Sequence, residues 1–191
     1  MDKKELILKA ALRLFVQHGF HGTPTSRIAV AAGVSNGTLF HYYKTKDELV
    51  VALYNSIKDA LNIHLLQHIG QPSTYKEKFR RLFVHSLEWA MEHSDEYFFI
   101  QQFHYSPHLA AVPAEDMARQ SELHISMLLQ AAAASIFKPL PVDMIASLYS
   151  SQVTGVYQYL LSHSLSTEQQ NKIINEAFEL VWPMLANATT V

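Results

Sequence analysis

"AGVSNGTLFHYYKTKDEL", residues 32–49, is a stretch in which polar side chains outnumber the apolar ones that a packed helix requires. Leu39 is its one obvious core residue. Asn36, Thr38 and His41 occupy positions that a purely structural helix would fill with leucine or alanine. We therefore expect a short helix whose polar side chains serve something outside the protein.

The residues around this helix predict a helix-turn-helix. Thr25 is expected to cap a short helix that ends at Ala32, and Ser35 is expected to cap the next helix, which runs to Tyr43. Gly33 lies between the two helices and permits a tight turn. In a unit of this kind the second helix lies in the major groove of DNA, with its N-terminal residues toward the bases.

The second helix carries side chains suited to reading a duplex. Asn36, Thr38 and His41 are expected to face base edges or phosphates. Asparagine can bond adenine in two places, and threonine can touch a thymine methyl group or a phosphate. Gly37 would let the backbone come close to the DNA. We expect these four residues to form the reading surface.

A further group of residues is expected to grip the phosphates on either side. Tyr42 and Lys46 flank the reading helix. Lys46 lies in the first turn of the following helix, where unpaired backbone N–H groups and the helix dipole already favour an anion. Thr25 and Ser26, at the start of the preceding helix, are expected to do the same on the other wall of the groove.

Charge is unevenly distributed along the chain. Residues 1–50 hold seven Lys or Arg against four Asp or Glu, a net charge of +3. The remaining 141 residues hold eight against thirteen, a net charge of −5, so that the whole-chain value of −2 hides the asymmetry. We expect an anion-seeking first quarter joined to a body with another function.

Composition excludes several classes of protein. The chain has no cysteine, which removes disulfides, thiolate zinc sites and thiol redox sensing. Glu5, Lys9 and Arg13 interrupt the apolar residues near the start, so a secretory signal is not expected. No stretch supplies the roughly 20 apolar residues of a membrane span. These features favour a soluble cytoplasmic protein without a membrane partner.

From residue 45 onward the pattern remains helical. Apolar residues recur at helical spacing, and we find no alternating strand pattern and no internal repeat. Thr45 with Glu48 has the spacing of a capping box, and Thr167 with Gln170 is expected to cap the last helix. The sequence therefore predicts an all-α protein of about nine helices.

Residues 7–49 resemble the N-terminal signature of the TetR family of transcriptional regulators, without a gap. The matching features form an ordered series, which makes the combination far more specific than any single piece. They are Ile7, Ala10, Leu14, Phe15, Gly19, Phe20, Thr25, Ile28, Ala29, Ala32, Gly33, Val34, Ser35, Gly37, Thr38, Leu39, the aromatic run from Phe40 to Tyr43, and Lys46.

The resemblance implies a division into a DNA-binding domain, residues 1–46, and a helical effector-binding and dimerisation domain, residues 47–191. It also assigns roles to particular positions. Phosphate contacts are implied for Thr25, Thr38, Tyr42 and Lys46, and base-side contacts for Ser26, Asn36, Gly37 and His41. The chain departs from the family pattern at Phe40, where tyrosine is common, and at Tyr42, where histidine is frequent.

The second domain is rich in aromatic and methionine residues, which predicts an apolar core. Cavities between helices are favoured places for small ligands, so an apolar or aromatic effector is expected. The residues predicted to line its site are Phe83, Leu87, Phe99, Phe103, Met127, Leu128, Tyr149, Gln152 and Val153. No cofactor is expected.

The last two predicted helices, residues 142–163 and 167–186, carry broad apolar faces. The resemblance implies that such a pair forms a four-helix interface with its twin in a two-fold homodimer. The two reading helices would then enter successive major grooves of a palindromic operator. The behaviour expected is repression that a ligand relieves, because the ligand would fit only one spacing of the two reading helices.

Two other interpretations remain open in the sequence. The first is a helical small-molecule or metal sensor without specific DNA binding, since His64 and His68 lie four residues apart. Ordinary histidines are favoured there, and no metal site is expected. The second is an enzyme, for which no phosphate-cradling loop, nucleophile elbow or pair of catalytic carboxylates is found. We also expect Phe40 and Tyr43 to pack beneath the turn.

Overall fold

The computed structural model describes residues 2–187, and within them the chain forms nine α-helices and one short 3-10 helix. The all-α prediction is confirmed. No helix in this range is long and apolar enough to cross a membrane. The elements are α1 Lys3–His18, α2 Thr25–Ala31, α3 Asn36–Tyr42, α4 Lys46–Ile69, α5 Tyr75–Glu92, α6 Ser94–His104, η1 Pro107–Ala111, α7 Ala114–Ala133, α8 Val142–Leu161 and α9 Thr167–Leu185.

The chain folds into two compact units that interleave along the sequence. The first unit comprises Met1–Ala60 and His93–Met117, and the second comprises Leu61–Glu92 and Ala118–Val191. The first unit therefore contains the predicted helix-turn-helix together with α6 and η1. The predicted domain boundary between residues 46 and 47 stays a prediction.

Aromatic rings form the core of the first unit. The ring of Phe15 lies 5.3 Å from that of Phe20 and 6.2 Å from that of Phe99, between ring centres, which joins α1 to α6. The buried hydroxyl of Thr23 lies 3.1 Å from the carbonyl oxygen of Leu14 and 2.9 Å from that of Gly19. These contacts fix the loop between α1 and α2, and with it the position at which the helix-turn-helix begins.

The second unit has an aromatic core of its own. Phe83 on α5 packs against Tyr149 of α8 and Phe178 of α9, with ring centres 5.9 and 5.8 Å apart. The Tyr149 hydroxyl donates a hydrogen bond of 2.9 Å to the carbonyl oxygen of Phe79. Burial raises the pKa of this phenol well above its ordinary value. Helices α5, α8 and α9 are thus held around one apolar centre.

The helix ends predicted from the sequence are confirmed in part. Thr45 does cap α4, because its side chain accepts a bond of 3.1 Å from the N–H of Glu48, and α4 ends at Ile69. The Glu48 carboxylate accepts a hydrogen bond from the N–H of Lys44. In a capping box it would accept from the N–H of Thr45 instead.

Two predicted caps are wrong. The residue before α2 is Pro24, and Thr25 is the first helical residue. Helix α9 is capped by Ser166 with Gln169, one residue before the predicted pair of Thr167 and Gln170. Both pairs have the spacing of a capping box, so the sequence alone does not choose between them.

Candidate nucleic-acid interface

The predicted helix-turn-helix is present in the first unit. Helices α2 and α3 are joined by a turn in which Gly33 has a φ of 68°, a conformation that side chains with a Cβ rarely adopt. The N–H of Val34 donates to the carbonyl oxygen of Ala29 at 3.0 Å, which closes the turn. Leu39 is fully buried and anchors α3 against the rest of the unit. One face of α3 is therefore fixed.

The start of α3 is held by its cap. The Ser35 side chain accepts a hydrogen bond of 3.1 Å from the N–H of Thr38, as predicted. The hydroxyls of the two residues also lie 3.0 Å apart. This second contact, which is exposed, orients the Thr38 hydroxyl before any DNA is present. A preformed first turn reduces the entropy lost when the helix binds a partner.

Most of the predicted DNA-contacting residues face solvent. The exposed members are Ser26, Asn36, Gly37, His41 and Tyr42, whereas Thr25, Thr38 and Lys46 are partly buried. The rings of His41 and Tyr42 lie edge to face, 5.5 Å apart. The structure therefore brings a row of polar groups to the open side of α3, and their roles in DNA binding stay predictions.

Gly37 has no structural reason to be glycine. A Cβ atom built at this position would meet only the Ser35 hydroxyl oxygen, at an ordinary contact distance of 3.7 Å. Gly22 differs, because a Cβ atom there would overlap the backbone oxygen of His18. The space above Gly37 is thus open to something outside the chain.

Lys46 lies in the first turn of α4, but its side chain turns toward the protein. Its ammonium donates a hydrogen bond to the carbonyl oxygen of Phe20 and lies 5.9 Å from the ring centre of Phe15. Burial lowers the pKa of this amine. An ammonium has three donors, so the bond to Phe20 leaves others free. The predicted phosphate contact stays a prediction, and the residue also joins α4 to the loop after α1.

The aromatic residues of α3 behave differently from one another. Tyr43, directly after α3, is buried, and its hydroxyl has no hydrogen-bond partner among residues 2–187. Burial raises its pKa to about 12. The prediction that it packs beneath the turn is confirmed. The same prediction for Phe40 is wrong, because 41% of that residue is exposed. Leu39 already fills the position that faces the core, which leaves its neighbour on the outside.

Sequence reasoning also missed Val30, an apolar residue in α2 that is 81% exposed. It follows Ile28 and Ala29, which are both buried, so the sequence reads as a continuous apolar run. An apolar side chain left in water beside the reading helix is a candidate for contact with a thymine methyl group or a sugar.

Comparison with known proteins agrees with this geometry. The family model for bacterial regulatory proteins of the TetR family matches residues 7–53. A TetR-family transcription regulator from Shewanella sp. PV-4, solved as a crystal structure, superposes with a TM-score of 0.89 and 28% identity, covering 98% of this chain and 100% of that one. Residues 7–53 of this chain belong to the TetR family of bacterial regulatory proteins.

Two other proteins are similar over different extents. The regulator RutR of Escherichia coli strain K12 is 47% identical over 57 residues, which are 30% of this chain but only 27% of RutR. AibR, crystallised with isovaleryl coenzyme A and operator DNA, shares the fold with a TM-score of 0.74 and 19% identity, covering 95% of this chain and 99% of AibR. The chain thus spans only about a quarter of the length of RutR at this high identity.

The residues predicted to line a ligand site are core residues. Phe99 and Phe103 belong to the first unit, with ring centres 6.1 Å apart. The members in the second unit are Phe83, Leu87, Met127, Leu128, Tyr149, Gln152 and Val153. All are buried except Gln152, which is half-buried. Their contact with an effector stays a prediction.

Three histidines of the second unit lie close together. The rings of His64 and His68 stack with centres 4.2 Å apart, and the ring of His85 lies 4.8 Å from that of His68. The Nδ1 atom of His85 lies 2.6 Å from a carboxylate oxygen of Glu88. No set of three metal-ligating side chains within residues 2–187 is arranged to hold a metal ion.

Proposed function

We propose that this protein is a ligand-responsive transcriptional repressor. It binds a palindromic operator in double-stranded DNA as a two-fold homodimer and leaves the operator when a small, largely apolar or aromatic effector binds. The observation that carries the proposal is the open side of α3. Exposed Asn36 and His41 flank a glycine that the fold does not require, so the surface is suited to close approach by a nucleic acid.

The proposed contacts fall into two groups. Asn36, Gly37 and His41, with Ser26 of α2, approach base edges. Thr25, Thr38 and Tyr42 approach phosphates, and Lys46 adds a cation at the start of α4, where the backbone N–H groups of the helix also favour an anion. Base contacts select the sequence, whereas phosphate contacts position the protein on the duplex.

Homodimerisation is supported by apolar side chains that α8 and α9 leave exposed. Leu180 is 78% exposed and Leu161 is 55% exposed, and three others are exposed in the same two helices. These are Met144, Tyr159 and Met184. A second copy of the pair would remove them from water, which is favourable by about 25 cal/mol for each Å² of apolar area. The dimer presents two copies of α3, which must sit about 34–36 Å apart to enter successive major grooves.

Response to a small molecule is supported by AibR, which shares this fold and was crystallised with both isovaleryl coenzyme A and operator DNA. An effector that binds more tightly to a DNA-incompetent arrangement shifts the population toward it. A coupling of about 1–3 kcal/mol changes operator affinity by roughly 5- to 150-fold. A repressor of chromosomal genes acts in the cytoplasm, and neither catalysis nor a cofactor forms part of the proposal.

Selection of duplexes from a random DNA pool by the purified full-length chain tests this function. We expect a palindrome or near-palindrome with half-sites about one helical turn apart. The matched control is Asn36→Ala with His41→Ala, which should select a different sequence or none. A pool that remains random for the wild-type chain would favour a small-molecule sensor without specific DNA binding and would overturn the repressor.

A further inference from the structure

A groove in the first unit lies between α1, the end of α2 and the start of α6. Its volume is about 350 Å³, which falls within the roughly 300–1,000 Å³ of pockets that bind small molecules. Buried Ala10 and Ala32, with half-buried Leu6 and Leu12, give the groove an apolar surface. It thus has the size and the apolar lining that a small ligand requires.

Charges of both signs line the same groove. Lys9 and Arg13 come from α1, and Asp95 and Glu96 come from the first turn of α6. None of these four side chains makes a hydrogen bond or an ion pair with another residue from 2 to 187. Two cations and two carboxylates therefore share one groove without pairing, which leaves space between them for a molecule that carries both charges.

The stability of the helices does not explain the two cations. Lys9 and Arg13 lie four residues apart on α1, where like charges repel each other and weaken a helix. The dipole of α6 favours carboxylates at its start, which accounts for Asp95 and Glu96 but not for the cations in the same groove. A bound carboxylate would relieve the repulsion between Lys9 and Arg13.

Charge complementarity restricts what occupies the groove. A simple anion is repelled by Asp95 and Glu96, and a simple cation is repelled by Lys9 and Arg13. An uncharged molecule would shield all four groups from water without pairing them. A zwitterion satisfies both pairs, because its carboxylate accepts hydrogen bonds from the cations and its ammonium donates them to the carboxylates.

We propose that this groove binds a free amino acid with an apolar side chain. The carboxylate of the amino acid lies toward Lys9 and Arg13, its ammonium lies toward Asp95 and Glu96, and its side chain packs against the apolar surface of α1. The site goes beyond the function proposed above, since none of the residues that line the groove is among those predicted to contact the effector.

The location of the groove links the bound amino acid to the helix-turn-helix. Ala31 is the last residue of α2, and it lines the groove together with Ala32. Gly33 follows directly and forms the turn to α3. An amino acid in the groove contacts α1, α2 and α6 together, so it gives the regulator a second small-molecule signal. This last step rests on the proposed function, whereas binding itself does not.

Titration of the full-length protein with L-leucine, followed by the backbone amide signals in its NMR spectrum, tests the site without DNA. The matched probes are 4-methylpentanoate, which lacks the ammonium, and 3-methylbutan-1-amine, which lacks the carboxylate. We expect saturable shifts at Ala31, Ala32 and Glu96 with leucine, and binding of either single-charge probe that is weaker by about tenfold or more. L-methionine and L-phenylalanine are titrated in the same way to cover other side-chain shapes.

Substitutions in the groove separate the charges from the space between them. Lys9→Gln combined with Arg13→Gln should weaken leucine by about fivefold or more, because two charge pairs are lost at exposed positions. Lys172→Gln, at an exposed position on α9, is the control. Ala31→Phe changes no charge but fills the groove, and it should abolish the shifts.

The proposal is overturned if none of the three amino acids shifts the amides of the groove in a saturable way. It is also overturned if 4-methylpentanoate binds as tightly as leucine, or if the double variant and Lys172→Gln bind leucine equally. None of these titrations contains DNA. Failure of the amino-acid site therefore leaves the selected operator standing, and failure of operator selection leaves the titrations readable.

Discussion

The Nδ1 atom of His108 lies 2.8 Å from a carboxylate oxygen of Asp47. His108 belongs to η1, directly after α6, whereas Asp47 lies in the first turn of α4. The same imidazole packs edge-on against Phe20 at 4.9 Å, and the carbonyl of Phe20 accepts the bond from Lys46. The segment that follows α6 therefore touches the turn that carries the predicted phosphate-binding lysine.

This contact should couple the two residues energetically in DNA binding. We expect the effects of Asp47→Asn and His108→Gln on operator affinity to be non-additive by about 0.5 kcal/mol or more, because residues in direct contact share their interaction energy. Fluorescence anisotropy with the selected operator, applied to both single variants and the double variant, measures the coupling. If the effects of the two substitutions on operator affinity are strictly additive, the contact between Asp47 and His108 does not influence DNA binding.

Replacing Lys46 should affect DNA binding and folding together. Lys46→Ala removes a cation from the start of α4 and a donor from the Phe20 carbonyl. We expect weaker binding to all sequences and a salt dependence flatter by about one unit of slope for each lost phosphate contact in each subunit. The Tm should also fall. If the slope matches that of the control Lys172→Ala while the Tm falls, the lysine is structural only.

Gly37→Ala should leave the fold intact and damage DNA binding. The new methyl group meets only the Ser35 hydroxyl at 3.7 Å, and alanine favours a helix more than glycine does, so the Tm should be unchanged or higher. Operator affinity should fall about tenfold or more if the backbone approaches the duplex here. The contrasting variant is Gly22→Ala, which should lower the Tm, since its methyl group overlaps the His18 carbonyl. Undiminished affinity of Gly37→Ala would move the interface away from the start of α3.

Asn36→Ala should relax sequence preference at one position of each half-site. Loss of a side chain that bonds two base atoms costs about 1–3 kcal/mol against the preferred base and little against the others. Competition between operator variants that differ at a single base pair measures this difference. Arg27→Ala, an exposed change in α2, serves as the comparison. An unchanged preference at every position would exclude Asn36 from base reading.

Acid should weaken the second unit through His64. Burial and then the neighbouring His68 and His85 lower the pKa of His64 below its ordinary 6.5. The unfolded chain therefore takes up a proton before the folded chain does, and the free energy of unfolding falls as the pH drops below about 6.5 toward the lowered pKa. His64→Gln should flatten this dependence, measured by urea unfolding at about pH 8 and pH 5.5. His18→Gln, at an exposed site on α1, should leave this pH dependence unchanged. If both variants lose the same free energy of unfolding in acid, His64 is not the cause of the loss.

The sequence predicted best where local chemistry decides the structure. Ser35, Gly33 and Leu39 fix the cap, the turn and the buried anchor of α3 through interactions with near neighbours, so a linear reading could find them. It failed where two equal local choices existed, as with the pair that caps α9. It also failed at Phe40 and Val30, because their exposure depends on which neighbours already fill the core.

Lys46 marks the harder limit. The sequence shows it as an ordinary charge on a helix, and nothing near it in the chain indicates otherwise. The inward turn of Lys46 depends on the Phe20 carbonyl, which is 26 residues away. Such features follow from tertiary contacts and become visible only in the folded chain.

The buried phenol of Tyr43 gives the helix-turn-helix an optical reporter of its own. Ordinary phenols ionise near pH 10 and then absorb strongly in the near ultraviolet, whereas Tyr43 holds its proton to about 12 while α3 remains packed. Between these two pH values, absorbance from ionised Tyr43 therefore reports that α3 has unpacked. The difference in near-ultraviolet absorbance between the wild-type chain and Tyr43→Phe would follow the unpacking of α3 without any added dye.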